Sequence, residues 1–483
     1  MLRRAWALDT PALDPNSSHP PLRANLRLTL QNRRFGAAAS ASVAARAAAF
    51  LRQLLKRGLL PGREPVRLPT GCILVVAGTR NQWLAVEPVA RALGERSERP
   101  VVLLDPDATA SLLNRDLAGP AYRMSLLFLP ALVRRWRGAD AETRGSFRWA
   151  ADGYLHSYGL YVALSRWLAA APPAAVLVSN DHSRPPCVLR SAAQGLGVPV
   201  AYLQHATVTE RFPPLRFDLA LLDGLDAAEK YAAAADREAA VALVGIPKAD
   251  PRVGGTRPDA GADRVGLCMS LADDPDRSAE LVEGLASHGL DLVLRMHPRS
   301  EPGCVDRFRR LARRLGLGWS DPAEEDSFAF LGGLRVLVAG VSAMSLEAAL
   351  VGVTPLNFQT NPEETDWYGF VRNGLCRQTD RVEVLAGWID EALRSPGRPP
   401  TAARRYCHTL GTSWEGESAA LAAQAVAGLA EGRPPSAPLW REVPLTGPLR
   451  VFERSEEPVD RPVAERPAAR DLLLTPAPYP GPA

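Results

Sequence analysis

Apolar positions along the chain fall into short unbroken runs that stop at polar residues, and stretches of helical period separate them. The first run, 71–78 (GCILVVAG), closes in TRNQW and leads into a helical pattern from Trp83 to Leu93. The next, VVLLD at 101–105, precedes a mostly helical stretch over 108–172. Three runs then follow quickly. Residues 174–183 end in Asn180, Asp181 and His182, residues 199–208 reach Gln204 and His205, and residues 217–224 end in Asp223. After 241–247 (VALVGIP) a Gly-, Pro- and Asp-rich run reads as a linker. The alternation then resumes, with strands at 264–270, 292–298, 317–322, 336–339 and 354–358 and helices between them. Short apolar runs alternating with helices are the pattern of parallel strands buried on both faces. The chain therefore predicts an α/β protein with two doubly wound, Rossmann-like domains.

The expected boundaries are a basic arm and helix over 1–70, an N-terminal domain over 71–247, a linker over 248–263 and a C-terminal domain over 264–432. From Arg433 onward 12 of 51 residues are Pro, so 433–483 reads as a disordered tail that can be removed without loss.

Composition adds limits. With 483 residues and 46% hydrophobic content the chain can build two or three sizeable cores. No apolar run reaches about 18 residues; the best, 124–133, is short and holds Pro130. A cytoplasmic protein is expected, with peripheral contact at an inner membrane as an option. That option rests on charge. Residues 1–70 hold 12 Lys+Arg against 3 Asp+Glu, a balance of +9, so the total of +4 leaves −5 for the rest. Such an arm can lie on anionic lipid or stay solvated. No nucleic-acid module accompanies the charge. The six cysteines are scattered without a C-x-x-C pair, which fits buried thiols and neither a metal site nor a disulfide framework. G-x-G-x-x-G and Walker A motifs are missing.

Chemistry concentrates at the strand ends, where open parallel sheets bind ligands. His205, in YLQHAT, is a candidate general base, and Asp181 competes for that role. In RMHPRS, His297 can contact or protonate a phosphate oxygen, with Arg295 and Arg299 adding positive charge. Ser342 and Ser345 are expected to face a phosphate from the first turn of a helix, and Glu347 can accept from a ribose. Thr79, Arg80, Asn81 and Gln82 are polar candidates on the acceptor side.

Two of these patterns carry a resemblance. His297-Pro298 after one strand, then Ser342-x-x-Ser345 opening a helix, resembles the nucleotide half of GT-B transferases. The groups concerned are bacterial sialyl-, polysialyl- and Kdo-transferases and CDP-glycerol glycerophosphotransferases. The Gln204-His205 pair and the Thr79–Gln82 turn are similar to patterns of the same enzymes, with Ala206 where a Gly is usual. The resemblance implies a GT-B-like arrangement with the domains facing a cleft, and transfer of a sugar or glycerophosphate from a CMP- or CDP-linked donor. The acceptor would be a glycan or lipid-linked glycan, with no metal or other cofactor. A UDP-sugar 2-epimerase is a rival, although its Asp-Ser-Gly-Gly pattern is missing after Val338, and a non-catalytic scaffold is another. GVSAM at 340–344 approaches a serine-hydrolase elbow, but Met344 stands where that turn needs Gly.

Overall fold

The computed structural model describes residues 42–59, 63–139, 141–210, 212–253, 263–361, 366–394, 401–455 and 473–474. The first part of the expected basic arm, 1–41, lies outside them, as does most of the linker. The chain forms two compact units. Unit 1 takes residues 1–223, 227–248 and 419–483, and unit 2 takes 224–226 and 249–418.

Unit 1 is built on β1 (Ile73–Val76), β2 (Val101–Leu104), β3 (Ala175–Val178), β4 (Val200–Leu203), β5 (Leu219–Leu222) and β6 (Ala239–Leu243). Every residue of β1 to β5 is buried, as a sheet covered on both faces requires. The order is β2-β1-β3-β4-β5-β6, all parallel. The chain thus winds one way from β1 to β2 and the other way from β3 onward. The covering helices include α1 (Val43–Gln53), α2 (Arg80–Arg96), α3 (Leu129–Gly138), α4 (Ala141–Ala170), α5 (Arg184–Gly195) and α6 (Leu225–Ala234).

Unit 2 carries β7 (Arg264–Cys268), β8 (Asp291–Arg295), β9 (Gly318–Ser320), β10 (Val336–Ala339), β11 (Thr354–Phe358) and β12 (Arg377–Thr379). They are ordered β12-β11-β10-β7-β8-β9, all parallel, and here the winding reverses between β7 and β10. Its helices include α7 (Pro275–Ala286), α8 (Pro302–Leu315), α9 (Met344–Leu350) and α10 (Val382–Arg394). In α8 one stripe, Phe308, Leu311 and Ala312, is buried while four arginines face outward. Gly316 stops it in the left-handed conformation at φ 67°, which a residue without Cβ adopts at no cost. The two doubly wound units expected from the alternation are both present.

Two boundaries differ from the sequence-based ones. The C-terminal helix α11 (Ser418–Ala430), expected at the end of the second domain, passes from Ala419 into unit 1. The tail also begins later than expected. Residues 433–455 are ordered, with β13 (Trp440–Val443) antiparallel to β14 (Leu449–Arg454) and β14 parallel to β6. Trp440, Leu449, Val451 and Phe452 are buried there. Proline averaged over the whole tail hides this strand pair, because Pro444 and Pro448 fall in the turn between the strands. Further on, β15 (Leu473–Leu474) pairs with β2, and the rest of the tail lies outside the described residues.

Candidate functional site

In unit 1 three strand ends bring four ionisable groups together. Asp181 follows β3 and is 4% exposed. Its Oδ1 lies 2.7 Å from His182 Nδ1, and its Oδ2 accepts from the Tyr231 hydroxyl at 2.6 Å. Tyr202 Oη stands 3.3 Å from Tyr231 Oη. With Nδ1–H directed at a carboxylate, His182 is set as the tautomer whose Nε2 can take a proton. Burial pulls the His182 pKa down, but the hydrogen bond and charge of Asp181 outweigh it, and the net shift is upward.

His205 behaves in the opposite way. Its Nδ1 is buried with no hydrogen-bond partner among the described residues. Burial is the main cause of a pKa lowered to about 4. The charges of His182 and Lys248 add to that lowering, and Asp181 opposes it. His205 is therefore neutral near pH 7 and a weak base. Asp223, at the end of β5, is also buried, with Oδ1 unpartnered. Burial raises its pKa well above the ordinary carboxylate range, against the pull of Lys248. Gln204 ties the β4 and β5 ends together: its Oε1 accepts from the Asp223 N–H at 3.0 Å and its Nε2 donates to the Ala206 carbonyl at 3.0 Å.

The TRNQ turn divides by position. Thr79 Oγ1 caps α2 by accepting from Gln82 N at 3.4 Å. Gln82 is buried, and its Oε1 accepts from Gly78 N at 2.7 Å. Arg80 and Asn81 are exposed on the first turn.

In unit 2 the expected phosphate group is only partly at the rim. His297 is half-buried beyond β8, and its Nδ1 accepts from the Arg299 backbone N–H at 3.0 Å. Burial and then the charge of Arg299 lower its pKa. His297 is thus a neutral ring with Nε2–H to offer, a hydrogen-bond donor and not an acid. Arg299 is exposed beside it. Arg295 corrects the expectation. Its guanidinium is buried, donates to Ser320 Oγ at 2.5 Å and the Glu325 carbonyl at 2.7 Å, and packs 5.1 Å from the Phe330 ring. It acts as a strut between β8 and the segment after β9.

Ser342 and Ser345 also separate. Ser342 lies ahead of the helix and its Oγ accepts from Met344 N at 3.3 Å. Ser345 is 1% exposed, inside α9, and hydrogen-bonds the Cys376 thiol. The i, i+3 rule assumes that both residues are helical, and here only the second is. Moreover α9 spans seven residues, so its dipole is small. Glu347 is half-buried in the same helix.

Sequence reading missed the loop after β7. Asp273 accepts from Ser270 N at 2.5 Å and Ser270 Oγ at 3.0 Å, and Thr360 Oγ1 stands 3.5 Å away. Burial raises its pKa against those bonds. This loop meets Gly340 at the point where the winding of unit 2 reverses. A Cβ on Gly340 would sit 2.2 Å from Asp273 Oδ1. Because that carboxylate is held by its bonds, Gly340→Ala should destabilise unit 2 by about 1–3 kcal/mol. Thermal unfolding of the variant measures this, and an unchanged midpoint would show that Asp273 moves freely. Among the described residues no three His, Cys, Asp or Glu side chains are grouped to hold a metal ion.

No protein-family model matches the chain, and no curated protein does. Solved structures do match. The UDP-GlcNAc 2-epimerase of Neisseria meningitidis bound to UDP-GlcNAc is 12% identical, with 75% of this chain and 100% of that chain covered at a TM-score of 0.47. The UDP-N-acetylglucosamine 2-epimerase of Rickettsia bellii gives 13%, 75%, 96% and 0.44. The glycotransferase of kitacinnamycin gives 14%, 75%, 97% and 0.40. At these values the likeness transfers no site residue to this chain.

Proposed function

We propose that the chain is an enzyme of nucleotide-activated sugars that moves a sugar or glycerophosphate from a CMP- or CDP-linked donor to a hydroxyl of a bacterial surface polysaccharide. The observation that carries this reading is the Asp181–His182 pair, a carboxylate-oriented imidazole at the strand-end rim of unit 1. His182 Nε2 takes the acceptor proton as the acceptor oxygen bonds to the transferred group. The bond from that group to the nucleotide phosphate oxygen breaks. In unit 2, His297 Nε2–H, Arg299 and the Ser342 hydroxyl are groups suited to a donor phosphate. His205 acts as a neutral group on the acceptor side, with the buried Asp223 carboxyl beyond it. In this scheme Asp181 orients the base and is not itself the base.

A UDP-sugar 2-epimerase is the second reading, because the same pair can take a proton from a sugar carbon. Thermal shift with CMP, CDP, UDP and GDP, followed by incubation with donors linked to the nucleotide that binds, separates the two. Nucleotide release that depends on a glycan acceptor supports transfer. Conversion of UDP-GlcNAc without an acceptor supports epimerisation. No stabilisation by any nucleotide would leave a non-catalytic scaffold.

Among the described residues no helix is long and apolar enough to cross a membrane. Contact with a membrane surface is part of the proposal. Leu126, Leu127, Leu129, Val133 and Trp136 are all at least 40% exposed, and the last three share one face of α3 with Arg137. Apolar side chains and arginine on one short helix suit an anionic interface. Sedimentation with phosphatidylglycerol vesicles should drop several-fold in a Leu127→Ser, Trp136→Ser variant. Equal sedimentation of both proteins would remove α3 from the membrane contact.

A further inference from the structure

A pocket of about 220 Å³ opens in unit 1 at the carboxyl ends of β1 and β3. Val76 closes β1 and Val178 closes β3, and both line it. These neighbouring strands are the ones at which the winding reverses. A crevice forms at such a point because the following helices leave toward opposite faces, and open α/β sheets take ligands there.

The walls are mostly apolar, with Leu112, Leu164, Trp167 and Leu189 joining the two valines. Several polar groups in the wall are already committed. Trp167 Nε1 donates to the Val66 carbonyl at 2.8 Å, and Thr109 Oγ1 donates to the Leu104 carbonyl at 3.4 Å. Gln82 differs. Its side chain is 95% buried, and Oε1 is fixed by the Gly78 N–H. A backbone N–H can bond only the oxygen of that amide, so the orientation is settled and the NH₂ faces away from Gly78. Nε2 has no partner among the described residues. Ser179 Oγ, also in the wall, is buried without a partner among the described residues and can donate too. An apolar pocket with so few donors selects a ligand of matching form. A cavity on the order of 150 Å³ already holds benzene. A charged group would lose its hydration without a counter-charge in the wall.

We infer that this pocket binds a compact, neutral, apolar group carrying one acceptor oxygen, which receives a hydrogen bond from Gln82 Nε2. The assignment needs only binding and is independent of the proposed transfer reaction.

Calorimetric titration of the full chain with acetophenone, toluene and benzoate tests it. Acetophenone has the ring and a carbonyl that can only accept, toluene has the ring alone, and benzoate has a charge. Acetophenone should bind roughly five- to tenfold more tightly than toluene, the return expected from one hydrogen bond. Benzoate should bind at least tenfold more weakly than acetophenone. Gln82→Glu, titrated at a pH where its carboxyl is ionised, keeps an oxygen for Gly78 N–H and deletes the donor. It should erase the advantage of acetophenone while leaving toluene within about twofold. Ala110→Phe, which fills the pocket from its rim, should abolish binding of both while the melting midpoint stays near that of the parent. No binding of either neutral probe at millimolar concentration, full binding in Ala110→Phe, or an acetophenone advantage that survives Gln82→Glu would each overturn the assignment.

Discussion

Replacing His182 with alanine should lower turnover by roughly 10²–10⁴, the range for loss of a general base. The pH dependence makes the expectation specific. A base must be unprotonated to act, so kcat/KM falls as pH drops through its pKa. For His182 that pKa is raised, because the hydrogen bond and charge of Asp181 outweigh burial. Asp181→Asn removes the charge, so the His182 pKa should fall and the acid limb should move to lower pH while the maximum rate also drops. The ring proton of His182, followed by NMR across pH, reports the same shift without any substrate. His205→Ala should change nucleotide affinity little, since His205 belongs to the other unit from His297. If His182→Ala turns over normally and His205→Ala does not, the base is His205 in spite of its low pKa.

A chain ending at Gly432 should fail to form unit 1. The cut removes β13 and β14 and with them the buried side chains of Trp440, Leu449, Val451 and Phe452. At about 1.5–3 kcal/mol for each large side chain, the gross loss is roughly 6–12 kcal/mol. That equals most of the stability of a typical domain, about 5–15 kcal/mol. The cut also bares the edge of β6 and, with β15, removes the two-residue partner of β2 at the other edge. The expected result is insoluble protein, or a soluble form that keeps only the unfolding transition of unit 2. A chain ending at Ser455 should retain the full-length midpoint within a few degrees, since the pairing lost among the described residues is the two-residue β15. Full stability at Gly432 would show that the strand pair is an ornament on a sheet complete without it.

Much of this architecture was legible in the sequence, and the reasons for its limits are physical. Strands buried on both faces read as unbroken apolar runs, so β1, β3, β4 and β10 were visible, together with the polar residues that end them. Which of those polar residues reaches the rim was not visible. Arg295 and Ser345 lie in the right segments, yet one is drawn down to Ser320 and Glu325 and the other turns toward Cys376. Such commitments depend on partners 25 to 31 residues away, beyond any local pattern. His182 was overlooked for the reverse reason. The sequence set Asp181 against His205 as the base, and only the 2.7 Å contact shows that Asp181 is paired with His182. The loop at Asp273 carries no motif, and its signal is Gly340, far along the chain, which has no room for a Cβ.

The path of the chain also bears on how the protein is made. Unit 1 begins before residue 223 and is completed only by residues after Ala419, so unit 2 is an insertion within it. A ribosome delivers all of unit 2 while the sheet of unit 1 still lacks β14. Domains usually mature in the order of synthesis. Here the second unit can finish first, and the first must wait with the edge of β6 unpaired. That interval, set by about 170 intervening residues at roughly 5–20 residues per second, lasts on the order of ten to thirty seconds. During it the nascent chain presents a bare strand to its neighbours, and a chaperone that shields strand edges would act on this protein before release and not after.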